Sequence, residues 1–430
     1  MFAELAYVAY GGLCAALAVH AIRKRLRYAR YITEAAAKLD LTPKGGWFVW
    51  LPSITGQMGK YQVSAESLME NKELYLEISL KFFLTFDTRF RITAENHLSR
   101  MKRTMGYGDM RIGDDAFDRA MRIEGAEPHI LVAYLNAGAR DCIMKLVDRC
   151  YGALVTGTEV AGRVCLADIK SSAEIVDCLE LFHNTVSALD RGSSTKKMLM
   201  ENIESEKIPG VVVSNIKALS GHCPVDGKFS EIMNRCLEHE SPEVQAAAAR
   251  YAGGKGLAHL VTMLGRMDMS SALTGEIIDL LRAAGHGKSA KALEALYAVN
   301  GDAALRAKII DCLGSFGDRG ESPFIVHALD DTDAGVRETA VKALALCGTV
   351  EAVEPLGRLA AGTINPFLKG EIRKTIEAIQ TGIDKGKRGM LSIQGIADMD
   401  GALSRDDIPG EGALSKDDME RSRRQPGGKE

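Results

Sequence analysis

The first hydrophobic segment of the chain is one apolar run close to its start. Between Leu5 and Ile22 the only ionisable side chain is His20. A helix rises about 1.5 Å per residue, so a run of this length approaches the thickness of a bilayer core. The pattern predicts a transmembrane helix over residues 1–24, anchored by Leu5 and Ile22. Basic residues follow the run at once: Arg23, Lys24, Arg25, Arg27 and Arg30.

The position of this basic cluster sets the expected orientation. Positive residues remain on the cytoplasmic side of a membrane helix, so the N-terminus is predicted outside and the bulk of the chain in the cytoplasm. This topology is that of a single-pass protein of the bacterial inner membrane. Gly11 and Ala15 have a spacing that lets two such helices approach closely, which would permit a homo-oligomer. Glu4 and the adjacent glycines leave a buried amphipathic helix as the alternative.

Apolar and polar residues alternate with a period of two over residues 76–92, with one break near Phe83. This period marks a half-buried strand. Helical spacing follows over residues 128–149 and 172–189, with shorter strand-like pieces between them. The pattern predicts a small α+β domain, such as a curved antiparallel sheet with two helices on one face.

A repeat of about thirty residues dominates the segment 205–382. Four apolar residues each open a helical stretch, a glycine follows twelve residues later, and a second apolar stretch follows the glycine. A helix, a glycine turn and a second helix at this period indicate an α-solenoid. The opening residues and their glycines are Val244 and Gly256, Leu273 and Gly285, Leu305 and Gly317, and Val336 and Gly348.

The clearest repeat unit reads DDTDAGVRETAVKAL from Asp330 to Leu344. This run resembles a short HEAT repeat of the bacterial type, and the chain is similar to bacterial membrane-anchored HEAT-repeat proteins. The resemblance implies a curved stack of helix pairs that binds proteins, and it carries no enzyme chemistry of its own.

An arginine follows the opening residue in two of these units, at Arg306 and Arg337, and Arg373 follows Ile372, which extends the series less perfectly. These side chains could form a basic row that binds a protein partner. The alternative is that each pairs with an aspartate of the neighbouring repeat.

Composition narrows the class of protein. The chain has 430 residues, 46% of them hydrophobic, and a net charge of −3. These values exclude a wholly disordered chain, a polytopic membrane protein and a broadly basic nucleic-acid binder. Nine dispersed cysteines indicate reduced thiols and not a disulfide framework.

Two clusters have residue types that can bind metals. Asp114, Asp115, Asp118 and Glu124 supply hard oxygen ligands, but their spacing does not fit a calcium loop, so a turn with solvated carboxylates is expected. Cys236 and His239 are expected to share a helix face, with Cys223 and His222 as loop residues before them, but the spacing lacks the tighter loop pair typical of zinc sites. No metal, cofactor or catalytic site is therefore predicted.

The tail contains a duplicated motif. GALSRDD begins at Gly401 and GALSKDD begins at Gly412, within a polar and glycine-rich segment in which disorder is expected. We interpret the two copies as linear motifs that bind a protein through Leu403 and Leu414. The alternative is a duplicated linker without a partner.

The predicted fold class is multidomain: an N-terminal transmembrane helix, a small α+β domain, a C-terminal all-α HEAT-like solenoid and a disordered tail. The predicted function is that of a membrane-tethered scaffold that binds cytosolic proteins through the solenoid and the tail, with no enzymatic activity and no nucleic acid. The alternative is a ligand-sensing or catalytic α+β domain that the solenoid regulates. The segments are 1–24 (transmembrane), 25–59 (juxtamembrane helix and linker), 60–204 (α+β), 205–382 (solenoid) and 383–430 (tail).

Overall fold

The computed structural model describes residues 2–45, 51–82, 90–95, 110–125, 127–266, 269–285 and 287–384. The chain forms two compact units, Met1–Met269 and Ser270–Glu430. The division lies inside the predicted solenoid segment, so the first helices of that segment belong to the unit that contains the sheet.

Within the described residues, the first unit is built on an eight-stranded sheet in which all neighbouring strands are antiparallel. The strand order is β1-β2-β3-β4-β8-β7-β5-β6. The antiparallel sheet of the predicted α+β domain is confirmed. The strands are β1 (Thr42–Lys44), β2 (Ser53–Met58), β3 (Tyr61–Glu70), β4 (Glu73–Lys81), β5 (Phe90–Ala94), β6 (Met121–Gly125), β7 (Tyr151–Thr156) and β8 (Glu159–Cys165).

The alternation of side chains gives the sheet one buried face and one polar face. Ala65 of β3 lies opposite Ile78 of β4, and both are fully buried. The next pair along these strands, Glu66 and Glu77, is exposed on the other face. The period-two pattern of the sequence therefore locates the core side of the sheet correctly.

Helices cover the buried face of this sheet and then continue toward the end of the first unit. α1 and α4 pack against α5, which also contacts β4 and β8. The helices are α1 (Phe2–Lys38), α2 (Asp115–Ala120), α3 (Pro128–Tyr134), α4 (Ala137–Arg149), α5 (Ser172–Leu189), α6 (Thr195–Ser205), α7 (Pro209–His222), α8 (Gly227–Cys236), α9 (Pro242–Ala249) and α10 (Gly253–Met263).

The predicted transmembrane helix is wrong. None of the helices in the described part of the chain combines the length and the apolar character that crossing a membrane requires. The apolar run is instead the first part of α1, which continues through the basic cluster to Lys38 and buries Tyr28 and Ile32 in the folded unit.

The residues expected to anchor or pair this helix lie along α1. Ile22, Arg23 and Lys24 are exposed, and the Lys24 ammonium lies 5.8 Å from the centre of the Tyr28 ring. Ala15 is also exposed. For Leu5 and Gly11 only the helical backbone is described.

The second unit consists of two layers of helices within its described residues. We call the helices of one layer, α11, α13, α15 and α17, the A helices, because each packs against the next. The B helices α12, α14 and α16 form the second layer. The predicted helical repeat is confirmed. The helices are α11 (Ser271–Ala283), α12 (Ala290–Val299), α13 (Ala303–Ser315), α14 (Ser322–His327), α15 (Ala334–Cys347), α16 (Val353–Gly362) and α17 (Pro366–Asp384).

Polar side chains mark where the A helices begin. The hydroxyl of Ser270 and the side-chain oxygens of Asp302, Asp333 and Asn365 accept hydrogen bonds from backbone N–H groups of the first helical turn. These bonds satisfy donors that have no partner inside the helix. The recurrence of such residues therefore fixes the repeat boundaries.

The repeated glycines have two different structural roles. Gly285 and Gly317 follow A helices with positive φ values of 59° and 67°, as expected for helix-ending turns. Gly348 also directly follows an A helix, but with a φ of −62°, whereas the turn predicted at Gly256 is wrong. Gly256 lies inside α10, where an added Cβ would be 1.9 Å from the Ala249 carbonyl oxygen, and a Cβ at Gly348 would be 2.7 Å from the Ile379 side chain.

Candidate protein-binding surface

On the surface of the A helices, two ion pairs connect α11 with α13. Lys308 Nζ of α13 lies 2.7 Å from Asp279 Oδ2 of α11, and Arg282 pairs with Asp311 across the same two helices. All four side chains are partly exposed. These charges are already matched within the unit, so the surface has few groups that need a partner.

The surface of the B helices has a different character. In the described residues, no ion pair joins one B helix to the next. Half-buried apolar side chains line this layer instead, and the Phe324 ring of α14 makes an edge-to-face contact with Tyr297 of α12 at 5.4 Å between ring centres. The other residues of this kind are Val326, Pro355 and Leu359.

The most exposed apolar side chains of the second unit lie where α16 connects to α17. Ile364 is 99% exposed and Phe367 is 85% exposed. We call these two residues the terminal apolar patch. Pro366 is the first residue of α17, and Asn365 Oδ1 accepts the Phe367 N–H at 3.0 Å. This cap fixes the backbone of the first turn and holds Phe367 away from the core.

The same position in the preceding repeats is polar or small. The connection before α15 reads Asp331-Thr332-Asp333, and the connection before α13 contains Gly301 and Asp302. An isoleucine and a phenylalanine in the corresponding turn are therefore a departure that the sequence shows. This signal could have identified the patch, and our sequence analysis missed it.

Arg306, predicted as a protein-binding residue, lies between two repeats. Its Nε and Nη2 atoms donate to the two carboxylate oxygens of Asp331 at 2.8 and 2.9 Å. Tyr297 donates its hydroxyl to the same carboxylate at 2.6 Å. The pairing with Arg306 holds the pKa of Asp331 well below its usual value. The alternative role, an ion pair with the next repeat's aspartate, is therefore the one that the structure shows.

The other predicted binding residues have separate locations. Arg337 Nη1 donates to the carbonyl oxygens of Asp331 and Thr332 at 2.7 and 3.0 Å, so it also supports the turn between repeats. Arg373 is exposed on α17. Leu403 and Leu414 lie outside the described residues.

Two carboxyl groups meet on the B-helix side. Burial and the neighbouring Glu294 of α12 raise the pKa of Glu321 to about 7. Like charges at short range disfavour double ionisation, so this pair favours a protonated state in the folded protein.

The aspartates near α2 were predicted as a solvated turn, and for two of them this is wrong. Asp118 is buried and accepts the N–H groups of Ile112 and Gly113 at 3.1 and 3.0 Å. Asp114 caps α2 and pairs with the buried Arg140 at 2.8 Å. Only Asp115 of the three is exposed. Among the residues that the structure describes, no group of three or more potential ligands could hold a metal ion.

Arg140 is the centre of this network. It also pairs with Glu206 at 2.9 Å, and Glu206 accepts the N–H groups of Lys207 and Ile208 just before α7. The network therefore connects α2, α4 and the start of α7. The sequence analysis missed Arg140 and Glu206 because their partners lie 26 and 66 residues away.

The second metal-type cluster also has structural roles. Cys236 is buried, which raises its thiol pKa to about 11, so it is a poor source of thiolate. The predicted shared helix face is wrong, because α8 ends at Cys236 and His239 lies beyond it. His239 Nδ1 accepts the N–H of Ser241, the residue that caps α9.

Comparison with known proteins identifies the helical repeats. Residues 289–377, from the end of the turn before α12 into α17, match the family described as HEAT repeats. The second unit contains HEAT repeats. Such repeats generally mediate protein–protein interaction. No protein with a curated description matches the sequence.

Two solved structures are similar to larger parts of the chain. An engineered protein is 19% identical, with 44% of this chain and 91% of that chain covered and a TM-score of 0.29. Human deoxyhypusine hydroxylase in complex with glycerol is 13% identical, with 66% and 96% covered and a TM-score of 0.27. These scores are too low to support any inference about activity.

Proposed function

We propose that this protein is a non-catalytic scaffold that binds partner proteins through the HEAT repeats of its second unit. The observation that carries the proposal is the terminal apolar patch. Ile364 and Phe367 are almost completely exposed in a unit whose other large apolar side chains are mostly buried. Large exposed apolar groups next to each other indicate an interaction site more often than an isolated exposed leucine does.

The energetics favour the patch as the main contact. Complete burial of one large apolar side chain contributes about 1.5–3 kcal/mol, and aromatic residues are enriched among the side chains that dominate binding energy. The adjacent B-helix surface includes half-buried apolar side chains that a partner can cover at little desolvation cost. A partner that covered the A helices would have to remove water from charged side chains that are already paired, without giving them new partners.

The first unit supports a binding role over catalysis. Two of its aspartates, Asp114 and Asp118, belong to the acidic cluster that the sequence singles out. Both accept backbone N–H groups near the start of α2, and Asp114 also pairs with Arg140. We propose that this unit supports the scaffold and that partner selection belongs to the repeats.

A photo-crosslinking amino acid tests the location of the binding surface. It replaces Phe367 in one variant and Lys342, exposed on the A helix α15, in the control. In cells that express the full chain, we expect the same partner protein to be captured from position 367 in repeated experiments and not from position 342. Equal capture from both positions, or none from position 367, would contradict the proposal.

A further inference from the structure

Two imidazole rings from distant parts of the chain are stacked in the first unit. His129 lies in the first turn of α3, and His222 is the last residue of α7. Their ring centres are 3.3 Å apart, and the angle between the ring planes is 13°. The helices α3 and α7 pack against each other, so the stacked rings are part of the contact between these two helices.

The number of protons on the two rings decides whether the stack is stable. Neutral aromatic rings attract each other, and an imidazolium is still attracted to the face of a neutral ring. Two imidazolium ions at this separation repel each other. His129 is half-buried and His222 is exposed, so solvent protons can reach the pair. The contact is therefore favourable with one proton at most, and a second proton opposes it.

The surroundings of His129 keep the second proton off at neutral pH. Burial and then the neighbouring His222 lower the pKa of His129 from its ordinary value of 6.5. Glu127 Oε2 lies 3.6 Å from His129 Nε2 and opposes this shift, but the Glu127 side chain is exposed. A base whose pKa is lowered in the folded state contributes stability above its ordinary value. That contribution is lost as the pH falls below 6.5.

Other charged groups near these helices do not replace this pair as the source of a pH effect. Among the described residues, His222 and Glu127 are the charged or titratable groups that act on the pKa of His129. The thiol of Cys223, directly after His222, has a pKa that burial raises, so it remains neutral in this range. The helices that also pack here are α6 and α9. The charged side chains of α6, α7 and α9 are Lys196, Lys197, Glu201, Glu204, Lys217, Glu243 and Arg250.

The turn after His222 is fixed to α6 at its far end. Lys196 Nζ donates to the Pro224 carbonyl oxygen at 2.9 Å and to Asp226 Oδ2 at 2.8 Å. Asp226 Oδ1 also accepts the N–H of Phe229 at 2.8 Å and so caps α8. The hydrogen bond from Lys196 lowers the pKa of Asp226, so this ion pair persists on acidification. The near end of the turn is held by the histidine stack.

We propose that His129 and His222 form an acid-sensitive switch in the first unit. Above about pH 6.5 the stacked rings hold the last turn of α7 against α3. On acidification both rings become protonated, and their repulsion separates this turn from α3, while the Lys196–Asp226 pair keeps the start of α8 in place. Leu219, buried one turn before His222, then becomes accessible. The switch does not depend on the binding surface proposed for the second unit.

Hydrogen–deuterium exchange of the purified full chain tests the switch at pH 7.5 and pH 5.0, with exchange times corrected for the intrinsic effect of pH. Peptides that cover residues 216–223 should exchange at least about tenfold faster at pH 5.0, because the last turn of α7 opens. Peptides of α8 should change less than about twofold, because Asp226 still caps that helix. The same corrected rate at both pH values for residues 216–223 would overturn the proposal.

Aromatic variants separate the histidine pair from other titrating groups. His222→Phe keeps a ring against His129 but allows one charge at most, so the pH effect on residues 216–223 should fall below about twofold. His129→Phe should have the same result and serves where the first variant does not fold. The matched control His259→Phe removes another half-buried histidine of the first unit and should retain the tenfold effect.

The location of the pH effect gives a further check. Burial raises the pKa of Asp118, which binds the N–H groups of Ile112 and Gly113 close to the start of α7. If the effect on residues 216–223 persisted in both His222→Phe and His129→Phe, a group such as Asp118 would be its cause, and the proposed switch would be wrong.

Discussion

At the scale of single residues, charged side chains of the second unit lie where one repeat contacts the next and not on the proposed binding surface. Arg306 and Asp331 bind each other across a repeat boundary, and Glu321 lies against Glu294. Among these residues, Arg306 recurs with the repeat, as Arg337. The two pairs should affect the free energy of unfolding with opposite dependence on pH.

The Glu321 carboxyl favours its protonated form in the folded protein. Its ordinary pKa of 4.5 rises to about 7 on folding, so the protonated group contributes stability below about pH 4.5, and this contribution is lost as the pH rises to about 7. The variant Glu321→Gln should therefore raise the unfolding temperature by a few degrees at pH 8 and change it little at pH 4. Thermal unfolding at the two pH values measures this. Glu354→Gln, an exposed change on α16, is the control, and equal gains at both pH values would contradict the explanation.

The Arg306–Asp331 pair is largely buried, with side chains 13% and 6% exposed. Arg306→Met leaves a buried carboxylate without its counter-charge and should reduce the free energy of unfolding by about 3–5 kcal/mol. Adding Asp331→Asn should recover part of this loss, because a neutral amide needs no counter-charge. Chemical denaturation provides the measurement. Arg282→Met, in the exposed pair with Asp311, should cost no more than about 1 kcal/mol, and equal losses for the two arginine variants would refute this account.

At the scale of elements, helix boundaries follow from local signals and contacts between distant elements do not. Asp302, Asp333 and Asn365 cap A helices, and the repeat could be predicted from such residues together with helical spacing. A helix beyond the apolar run is predicted from the sequence, whereas its packing is not. The run alone does not reveal that Tyr28 and Ile32 pack into a folded unit.

The close approach of α7 to the turn before α2 is a contact between distant elements, and the sequence does not predict it. Gly113 has a φ of 93°, and a Cβ there would lie 2.3 Å from the backbone of Gly210. Gly113→Ala should therefore destabilise the first unit by at least about 3 kcal/mol.

Gly192→Ala is the matched control for this change. Gly192 has a φ of 60°, but nothing lies within 4 Å of its added Cβ, so only the conformational cost of about 1–2 kcal/mol remains. Chemical denaturation of both variants compares the two costs. Similar losses would show that the close backbone approach has no role.

At the scale of the whole molecule, the chain combines an α+β unit with a unit of HEAT repeats. The general class of the second unit could be predicted because each repeat is defined by a short stretch of sequence. The binding surface could not be predicted from repeated residues, because Arg306 and Arg337 support the repeats themselves. The informative residues, Ile364 and Phe367, are those that depart from the repeat.

The proposed function depends most on the terminal apolar patch as the site where partner proteins bind. The most direct test is the dissociation constant of a partner captured from position 367, measured with the full chain and its variants by titration calorimetry. Ile364→Ser with Phe367→Ser should weaken binding by at least about a hundredfold, since the variant removes two large apolar contacts. Lys342→Ser with Glu338→Ser, on the A-helix surface, should change it less than about twofold. An unchanged dissociation constant in the patch variant would contradict the proposed function.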